Sequence, residues 1–316
     1  MQKSILRFST LACSAIFAFT GCDKKSADSG SGSGTSDASG GSKKAASVSL
    51  QNIGSDTMVN LAQAWAEAYA KVAPNVSVEV TGGGSGIGVA ALINGTCDIA
   101  NSSRKLEAEE EEKAAAKYGG KHPVEHHVGW DALAIYVHPS NPITEISIEQ
   151  LSEIYKEGGK FSKWSDLGVA APGGQDQIVL VSRQNNSGTY HYFREAVVGK
   201  KNDFKQGTRD MNGSKEVVDL VSTTPSAIGY SGIGYRTDKV KVIKVSKKTG
   251  EPSIEPTIKT TLDKTYPIAR PMFMYVPPGE KPQVDEYLKW IKSEPGQKIV
   301  IKEGYVPLEA FAPKDK

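Results

Sequence analysis

Small polar residues gather in this sequence at the points where a predicted strand passes into a predicted helix. Three such segments are residues 54–57, 81–86 and 183–189, and each places a hydroxyl group close to a glycine. A helix start carries unpaired backbone N–H groups and the positive end of the helix dipole. The three segments are therefore suited to holding an anion.

The segment at residues 183–189 adds a positive charge to this pattern. Gly188 lets the backbone approach a ligand closely, and Ser187 and Thr189 add hydroxyl donors. The Arg183 guanidinium can bind two oxygens at once. For this segment alone the alternative is equally open, namely that Ser187 only caps the helix and Arg183 pairs with a surface carboxylate. The similar hydroxyls in the other two segments favour the anion site.

The glycine-rich segments do not match a nucleotide site. The sequence has no G-x-x-x-x-G-K-[ST] motif, and residues 82–88 lack the acidic partner of a dinucleotide fingerprint. A small tetrahedral oxyanion is therefore preferred, and no cofactor is expected. The candidate metal ligands are His122, His126 and His127. No metal site is expected, because Pro123 disrupts the helix that would align them. A net charge of +2 without a basic stripe argues against nucleic acid as a partner.

Hydrophobic periodicity predicts the elements that position these segments. Residues 48–53 and 76–80 are predicted as strands, and residues 58–72 as a helix that Pro74 stops. Alternating strands and helices with short joints predict an α/β fold, in which ligands bind beyond the carboxyl ends of parallel strands. Further strands are predicted at residues 98–100, 132–137, 178–181 and 272–276, and further helices at residues 86–93, 107–118, 147–154, 189–197, 214–221 and 284–291.

The first 46 residues are predicted to lie outside the fold. A positively charged start and an apolar run at residues 11–19, too short to span a bilayer, predict a signal peptide over residues 1–21. The Thr-Gly-Cys that ends it resembles the lipobox of bacterial lipoproteins, which implies that Cys22 is lipidated. An ordinary secretory signal is the alternative. Residues 22–46 contain few apolar side chains and predict a flexible tether.

From residue 48 to residue 310 the sequence resembles the phosphate-binding proteins of bacterial phosphate ABC importers, which have the type II periplasmic-binding-protein fold. The motifs that carry the resemblance are GSDT at residues 54–57, GSG at 84–86, DIANSSR at 98–104, WSD at 164–166, the Arg and SGT of 183–189, AIGY at 227–230 and GYVPL at 304–308. The resemblance implies two α/β lobes, each a mixed, mainly parallel sheet flanked by helices, with a ligand cleft between them. Lobe I would be residues 47–131 plus 268–316, and lobe II residues 132–267.

The phosphate ligands of that family fall on four segments of this chain. The expected ligand set is Ser55, Asp56, Thr57, Ser85, Ser103, Arg104, Arg183, Ser187, Gly188 and Thr189. The chain departs from the family where Ser103 and Asn185 stand, because well-known members carry Asp at both positions. The first of those carboxylates accepts the proton of bound phosphate and repels fully ionised sulfate. We hypothesise that Asp56 supplies this acceptor here and that Arg104 adds positive charge.

The resemblance also implies a function. It describes a binding protein, not an enzyme, that captures inorganic phosphate by hydrogen bonds and one Arg and delivers it to the permease and ATPase subunits of an ABC importer. Such a protein would be monomeric and lipid-anchored, in the periplasm or on the outer face of the cytoplasmic membrane. The alternatives are another oxyanion (sulfate, molybdate or arsenate), a surface lipoprotein that senses phosphate or adheres, and a secreted phosphatase. The chain lacks a convincing nucleophile–base pair, which counts against the phosphatase.

Overall fold

The computed structural model of the protein describes residues 47–313. The predicted signal peptide, Cys22 and the predicted tether lie outside the described residues. The strands are β1 (Val48–Gly54), β2 (Val76–Thr81), β3 (Ile99–Ser102), β4 (Val124–Val137), β5 (Glu145–Ser147), β6 (Val179–Arg183), β7 (Arg209–Met211), β8 (Ala227–Gly232), β9 (Lys241–Ser246) and β10 (Ala269–Val276).

Helices alternate with these strands over most of the described chain. They are α1 (Val59–Tyr69), α2 (Ser85–Asn94), α3 (Ala108–Lys117), α4 (Ile148–Tyr155), α5 (Gly188–Phe193), α6 (Ser214–Thr223), α7 (Ile258–Leu262), α8 (Pro282–Ile291) and α9 (Glu294–Lys302). A π-helical turn, Arg194–Val198, continues α5, and short 3-10 turns include Asp56–Met58 and Ile233–Tyr235.

The strands form one mixed sheet in the order β2-β1-β3-β10-β4-β8-β6-β7, with β9 beside β4 and β5 beside β9. Strand β1 is parallel to β2 and β3, and β6 is parallel to β7 and β8. The central strands β10 and β4 run antiparallel to their neighbours. The expectation of a mixed α/β fold with a sheet flanked by helices is confirmed.

Strand β4 joins the two groups of strands. Its first part pairs with β10 as far as Ala132, and its second part pairs with β8 from Leu133 onward. Asp131 therefore lies where the strand changes partner, directly opposite Arg270 of β10. The change falls at the predicted boundary between lobes I and II, and the division into two lobes remains a prediction.

The helices pack on the sheet through apolar stripes, as helix α1 illustrates. It buries Leu61, Trp65 and Tyr69 on one face, and the Trp65 indole donates to Gly296 O at 2.8 Å. The helix ends at Tyr69, so its predicted extension to Val72 is wrong. Val72 lies in the following turn and is 61% exposed, so it contributes nothing to the apolar face.

Two strands begin earlier than the sequence predicted. Strand β4 starts at Val124, eight positions before the predicted 132, and β10 starts at Ala269, three positions before the predicted 272. The early part of each strand carries polar residues that mask the apolar pattern. Both additions matter for the site, because they contain Asp131 and Arg270.

Cys97 is buried and packs with Ala91, Leu92 and Phe273 in a small apolar cluster. Burial raises the pKa of its thiol to about 12, and the nearby Asp98 carboxylate adds to this. Within residues 47–313, none of the helices is long and apolar enough to cross a membrane.

Candidate anion-binding site

The first loop, residues 54–57, is held in place by backbone geometry and by two tyrosines. Gly54 has a φ of 144°, and a Cβ there would lie 2.2 Å from Asn101 O, so this position needs glycine. The Tyr235 hydroxyl donates to Asp56 O and the Tyr305 hydroxyl to Thr57 O, each at 2.5 Å. These contacts hold the loop in this conformation.

Three serines from three segments meet at the end of this loop. Ser55 Oγ donates to Ser103 Oγ at 3.0 Å, and Ser85 Oγ shares a 3.3 Å hydrogen bond with the same atom. The backbone N–H of Ser103 also donates to Ser85 Oγ at 3.1 Å. All three side chains are buried. Three of the four predicted ligand serines thus lie together at the carboxyl ends of β1 and β3 and the start of α2.

The start of helix α5 abuts this serine cluster. A Cβ on Gly188 would lie 2.3 Å from Ser85 Oγ and 2.8 Å from Ser103 Oγ, so only glycine allows this approach. Ser187 Oγ accepts from the N–H groups of Thr189 and Tyr190 and therefore caps the helix. Ser187 therefore caps the helix as the alternative expected, and its role as an anion ligand remains a prediction.

Arg183 pairs with Asp56 across the same region. Arg183 Nη2 donates to Asp56 Oδ2 at 2.8 Å, while the N–H of Gly83 donates to Oδ1 at 2.8 Å. The guanidinium also donates to Ser214 Oγ at 3.0 Å and to Asn212 O at 2.7 Å. Burial lowers the pKa of Arg183, and this effect is opposed chiefly by the Asp56 carboxylate. The alternative of a surface carboxylate for Arg183 is wrong, since Arg183 is fully buried.

The sequence reasoning missed a second pair, Arg270 and Asp131. Arg270 Nε and Nη2 both donate to Asp131 Oδ2, at 3.0 and 2.8 Å. Nη2 also donates to Thr57 Oγ1 at 3.2 Å and to Thr189 Oγ1 at 2.9 Å. The two threonine hydroxyls share a hydrogen bond of 2.8 Å. A signal was present in the sequence, namely two charged residues next to long apolar runs, but nothing there indicated that they lie opposite each other.

The structure does not bring Arg104 into this network. Its two terminal nitrogens donate to the two carboxylate oxygens of Glu110, each at 2.6 Å. Asn185 is exposed, and its backbone oxygen contacts His191 Nε2 at 2.7 Å. No group of His, Cys, Asp or Glu side chains within the described residues could hold a metal ion.

The arrangement is rich in hydrogen-bond donors and nearly neutral in charge. Two guanidinium groups are each paired with one carboxylate, and hydroxyl groups and two helix starts surround them. In the described contacts of Ser55, Ser85 and Ser103 there is no histidine or carboxylate that could act as a base. A groove of about 890 Å³ borders the cluster, and Ser103 and Arg270 line it. The geometry suits binding of a small oxyanion rather than covalent catalysis.

Comparison with known proteins places the chain in a family. Residues 31–295 match the PBP superfamily domain. The chain is 38% identical over 280 residues to the phosphate-binding protein PstS of Pseudomonas aeruginosa, covering 85% of this chain and 86% of that protein. PstS of Bacillus subtilis is 33% identical over 276 residues, with coverage of 86% and 85%. The chain belongs to the PstS family of the PBP superfamily.

Solved structures agree with this assignment. A Clostridium perfringens protein, described as a putative phosphate ABC transporter substrate-binding protein with bound phosphate, aligns with a TM-score of 0.74 and 29% identity, covering 83% of this chain and all of that one. An ABC-type phosphate transport receptor from Vibrio cholerae aligns with a TM-score of 0.65 and 28% identity, covering 82% and 100%. The resemblance predicted from the sequence is confirmed, and the family is one of substrate-binding proteins, not enzymes.

Proposed function

We propose that this chain is the extracytoplasmic component of a phosphate ABC importer, which captures inorganic phosphate and delivers it to the permease and ATPase subunits. The observation that carries the proposal is the convergence of the first loop, the serine cluster and the α5 start around buried Arg183. A tetrahedral oxyanion offers several acceptor oxygens, and this region offers hydroxyl and N–H donors from several directions. The PstS relatives support phosphate as the oxyanion.

The ligand set in this proposal is narrower than the sequence suggested. It consists of Ser55, Asp56, Thr57, Ser85, Ser103, Arg183, Ser187, Gly188 and Thr189. Arg104 is left out, because Glu110 already engages its guanidinium through both terminal nitrogens. Asp56 keeps its role as acceptor of the phosphate proton. Each of its oxygens accepts one donor in the described contacts, and a carboxylate offers about four acceptor positions.

Capture by closure of two lobes explains how such a buried site is filled. Lobe I, residues 47–131 and 268–316, would contribute the first loop and the serine cluster. Lobe II, residues 132–267, would contribute Arg183 and the α5 start. An anion that bridges the two groups favours the closed form, because it gains contacts there that the open form lacks. The closed monomer would then dock on the permease.

The chain would act on the outer face of the cytoplasmic membrane or in the periplasm, held by lipid on Cys22. A Cys22→Ser variant should leave phosphate affinity unchanged and move the protein from the membrane fraction to the soluble fraction. Retention of that variant in the membrane fraction would argue against the anchor.

Isothermal titration tests the ligand. We expect phosphate to bind with one site per chain and to outcompete sulfate and molybdate at two pH values, with arsenate the closest competitor because it also carries a proton. Arg183→Gln should abolish binding, whereas Arg236→Gln, which removes an exposed positive charge, should not. Tighter binding of sulfate or molybdate would overturn the phosphate assignment. Hydrolysis of a chromogenic phosphate ester would point instead to a phosphatase.

A further inference from the structure

The Arg270 guanidinium touches three of the segments that build the anion site. Besides Asp131, it donates to the carbonyl oxygen of Ser103 at 3.1 Å and to the hydroxyls of Thr57 and Thr189. Its side chain is 1% exposed, so these contacts are made in a dry environment where hydrogen bonds are strong. One side chain thus connects the first loop, the serine cluster and helix α5.

The guanidinium is held rigidly in this position. Asp131 Oδ2 accepts from two of its nitrogens, and Asp131 Oδ1 accepts from the N–H of Ile233 at 3.0 Å. The ring of Tyr192 lies against the guanidinium, with 5.3 Å between the ring centroid and Cζ. The Tyr192 hydroxyl donates to Ala269 O at 2.7 Å, which fixes the ring in turn. Asp131 also neutralises the charge of Arg270, so Arg270 orients the hydroxyls that it contacts without adding net charge to the site.

The contacts with Arg270 restrict where the hydroxyl hydrogens of Thr57 and Thr189 can point. A hydroxyl group has one hydrogen to donate and two lone pairs to accept with. Arg270 Nη2 carries two hydrogens and faces three acceptors, namely Asp131 Oδ2 and the two threonine oxygens, so one of its hydrogens is shared between two acceptors. One threonine hydroxyl donates to the other across their 2.8 Å contact. Neither hydroxyl hydrogen can point at the guanidinium, which has no acceptor. One hydroxyl hydrogen therefore remains, and it has to be donated elsewhere.

We propose that Arg270, fixed by Asp131, is a positioning residue that turns the Thr57–Thr189 hydroxyl pair into an obligatory donor to the bound oxyanion. The inference rests on the proposed phosphate-binding function. It also deepens that function. An ionised anion oxygen accepts the remaining hydroxyl hydrogen more strongly than a protonated one does, so the threonine pair favours an ionised oxygen and leaves the protonated oxygen for the acceptor at Asp56. The Thr57–Thr189 hydroxyl pair would then help to orient the ligand as well as to bind it.

A variant that leaves no buried charge unpaired is needed to test this. Arg270→Gln alone would strand the Asp131 carboxylate, which is fully buried. The test variant is therefore Arg270→Gln combined with Asp131→Asn, and thermal melting shows whether it is folded. We expect its phosphate affinity to fall roughly tenfold, the size of one lost hydrogen bond. Arg270→Lys, which keeps a charged donor, should recover part of that loss. The charge-matched control, Arg236→Gln, should leave phosphate affinity unchanged.

The decisive measurement repeats the titration in a background with Thr57→Val and Thr189→Val, which keeps side-chain shape and removes both hydroxyls. If Arg270 acts through these hydroxyls, adding Arg270→Gln and Asp131→Asn to this background should lower phosphate affinity less than about twofold. The effect of Arg270 would then be contained in its coupling energy with the two threonines. An equal loss in both backgrounds would mean that Arg270 binds the anion itself or only supports the fold, and would overturn the inference. So would an unchanged affinity of the neutral-pair variant in the wild-type background. A wild-type protein that binds no phosphate would instead refute the proposed function.

Discussion

Replacing Asp56 with Asn tests whether this carboxylate makes the candidate site select phosphate over sulfate. The substitution keeps the shape of the side chain and an acceptor for the Gly83 N–H, but removes the negative charge that Arg183 contacts at 2.8 Å. Arg183 is fully buried and the Asp56 side chain is 16% exposed. The pair is thus sufficiently buried for the charge to matter for both binding and stability.

The expected effect on phosphate follows from one charge-assisted hydrogen bond. If Asp56 accepts the phosphate proton, its loss costs about 1.5–3 kcal/mol, or roughly 10- to 100-fold in affinity. Sulfate should change in the opposite direction. It has no proton to give at neutral pH, so in the wild-type site it faces a carboxylate with which it cannot pair, at a cost of about 1–3 kcal/mol. The phosphate-to-sulfate affinity ratio should therefore fall by about two orders of magnitude or more.

The assay is isothermal titration of protein freed of ligand, with phosphate directly and with sulfate in competition. Asp219→Asn is a matched control, because Asp219 also pairs with a cation but is 60% exposed on helix α6. It should leave both affinities as they are. If Asp56→Asn weakened phosphate binding while the affinity ratio stayed constant, Asp56 would only be holding Arg183 in place. The assignment of Asp56 as proton acceptor would then be refuted.

Three further predictions use other parts of the molecule. Gly188→Ala should weaken phosphate binding roughly 5- to 100-fold, because the added Cβ would lie 2.3 Å from Ser85 Oγ and overpacking costs about 1–3 kcal/mol. Gly213→Ala, with open space at the start of α6, should bind normally in the same titration. Arg104→Gln should change phosphate affinity less than about twofold while lowering the melting temperature, since it removes a hydrogen-bonded ion pair with Glu110; a large affinity loss would restore Arg104 to the ligand set. Burial lowers the pKa of His126 and His127, so the folded state disfavours their protonated forms. Their contribution to stability should be present above pH 6.5 and be lost as pH falls through their lowered pKa values, and His126→Gln with His127→Gln should flatten this part of a melting-temperature profile.

The sequence predicted the site best where its pattern is local. Glycine and hydroxyl-bearing residues after a strand predict the start of a helix. Ser85, Ser187 and Gly188 lie at the starts of α2 and α5, as that pattern predicts. The α/β class followed from the alternation of strands and helices. Arg104 shows the limit of the same reasoning, because its neighbours in sequence resemble the site while its partner, Glu110, comes from the next helix.

Arg270 and Asp131 could not be found in this way, because their role depends on register. The two residues are 139 positions apart and become neighbours only through the antiparallel pairing of β4 with β10. Each also lies in the part of its strand that the apolar pattern did not predict. A charged residue beside an apolar run is usually read as the end of the strand, since burying an unpaired charge is costly. Here the two charges are buried as a pair, and the strands continue through them.

The two Arg–Asp pairs also limit what can produce selectivity. Arg183 with Asp56 and Arg270 with Asp131 leave the site with almost no net charge of its own, so attraction by charge alone cannot separate phosphate from sulfate. Hydroxyl and N–H donors serve both anions equally well, since both present acceptor oxygens. The two ligands differ in one proton. Hydroxyl groups can donate or accept and therefore suit both anions, whereas a carboxylate can only accept and therefore favours the anion that carries the proton. Asp131 and Asp56 each accept from an arginine and from a backbone N–H, but Asp131 is fully buried whereas Asp56 is partly exposed. We therefore expect discrimination to depend on Asp56, while the Thr57–Thr189 pair beside Arg270 donates its remaining hydrogen to an ionised oxygen.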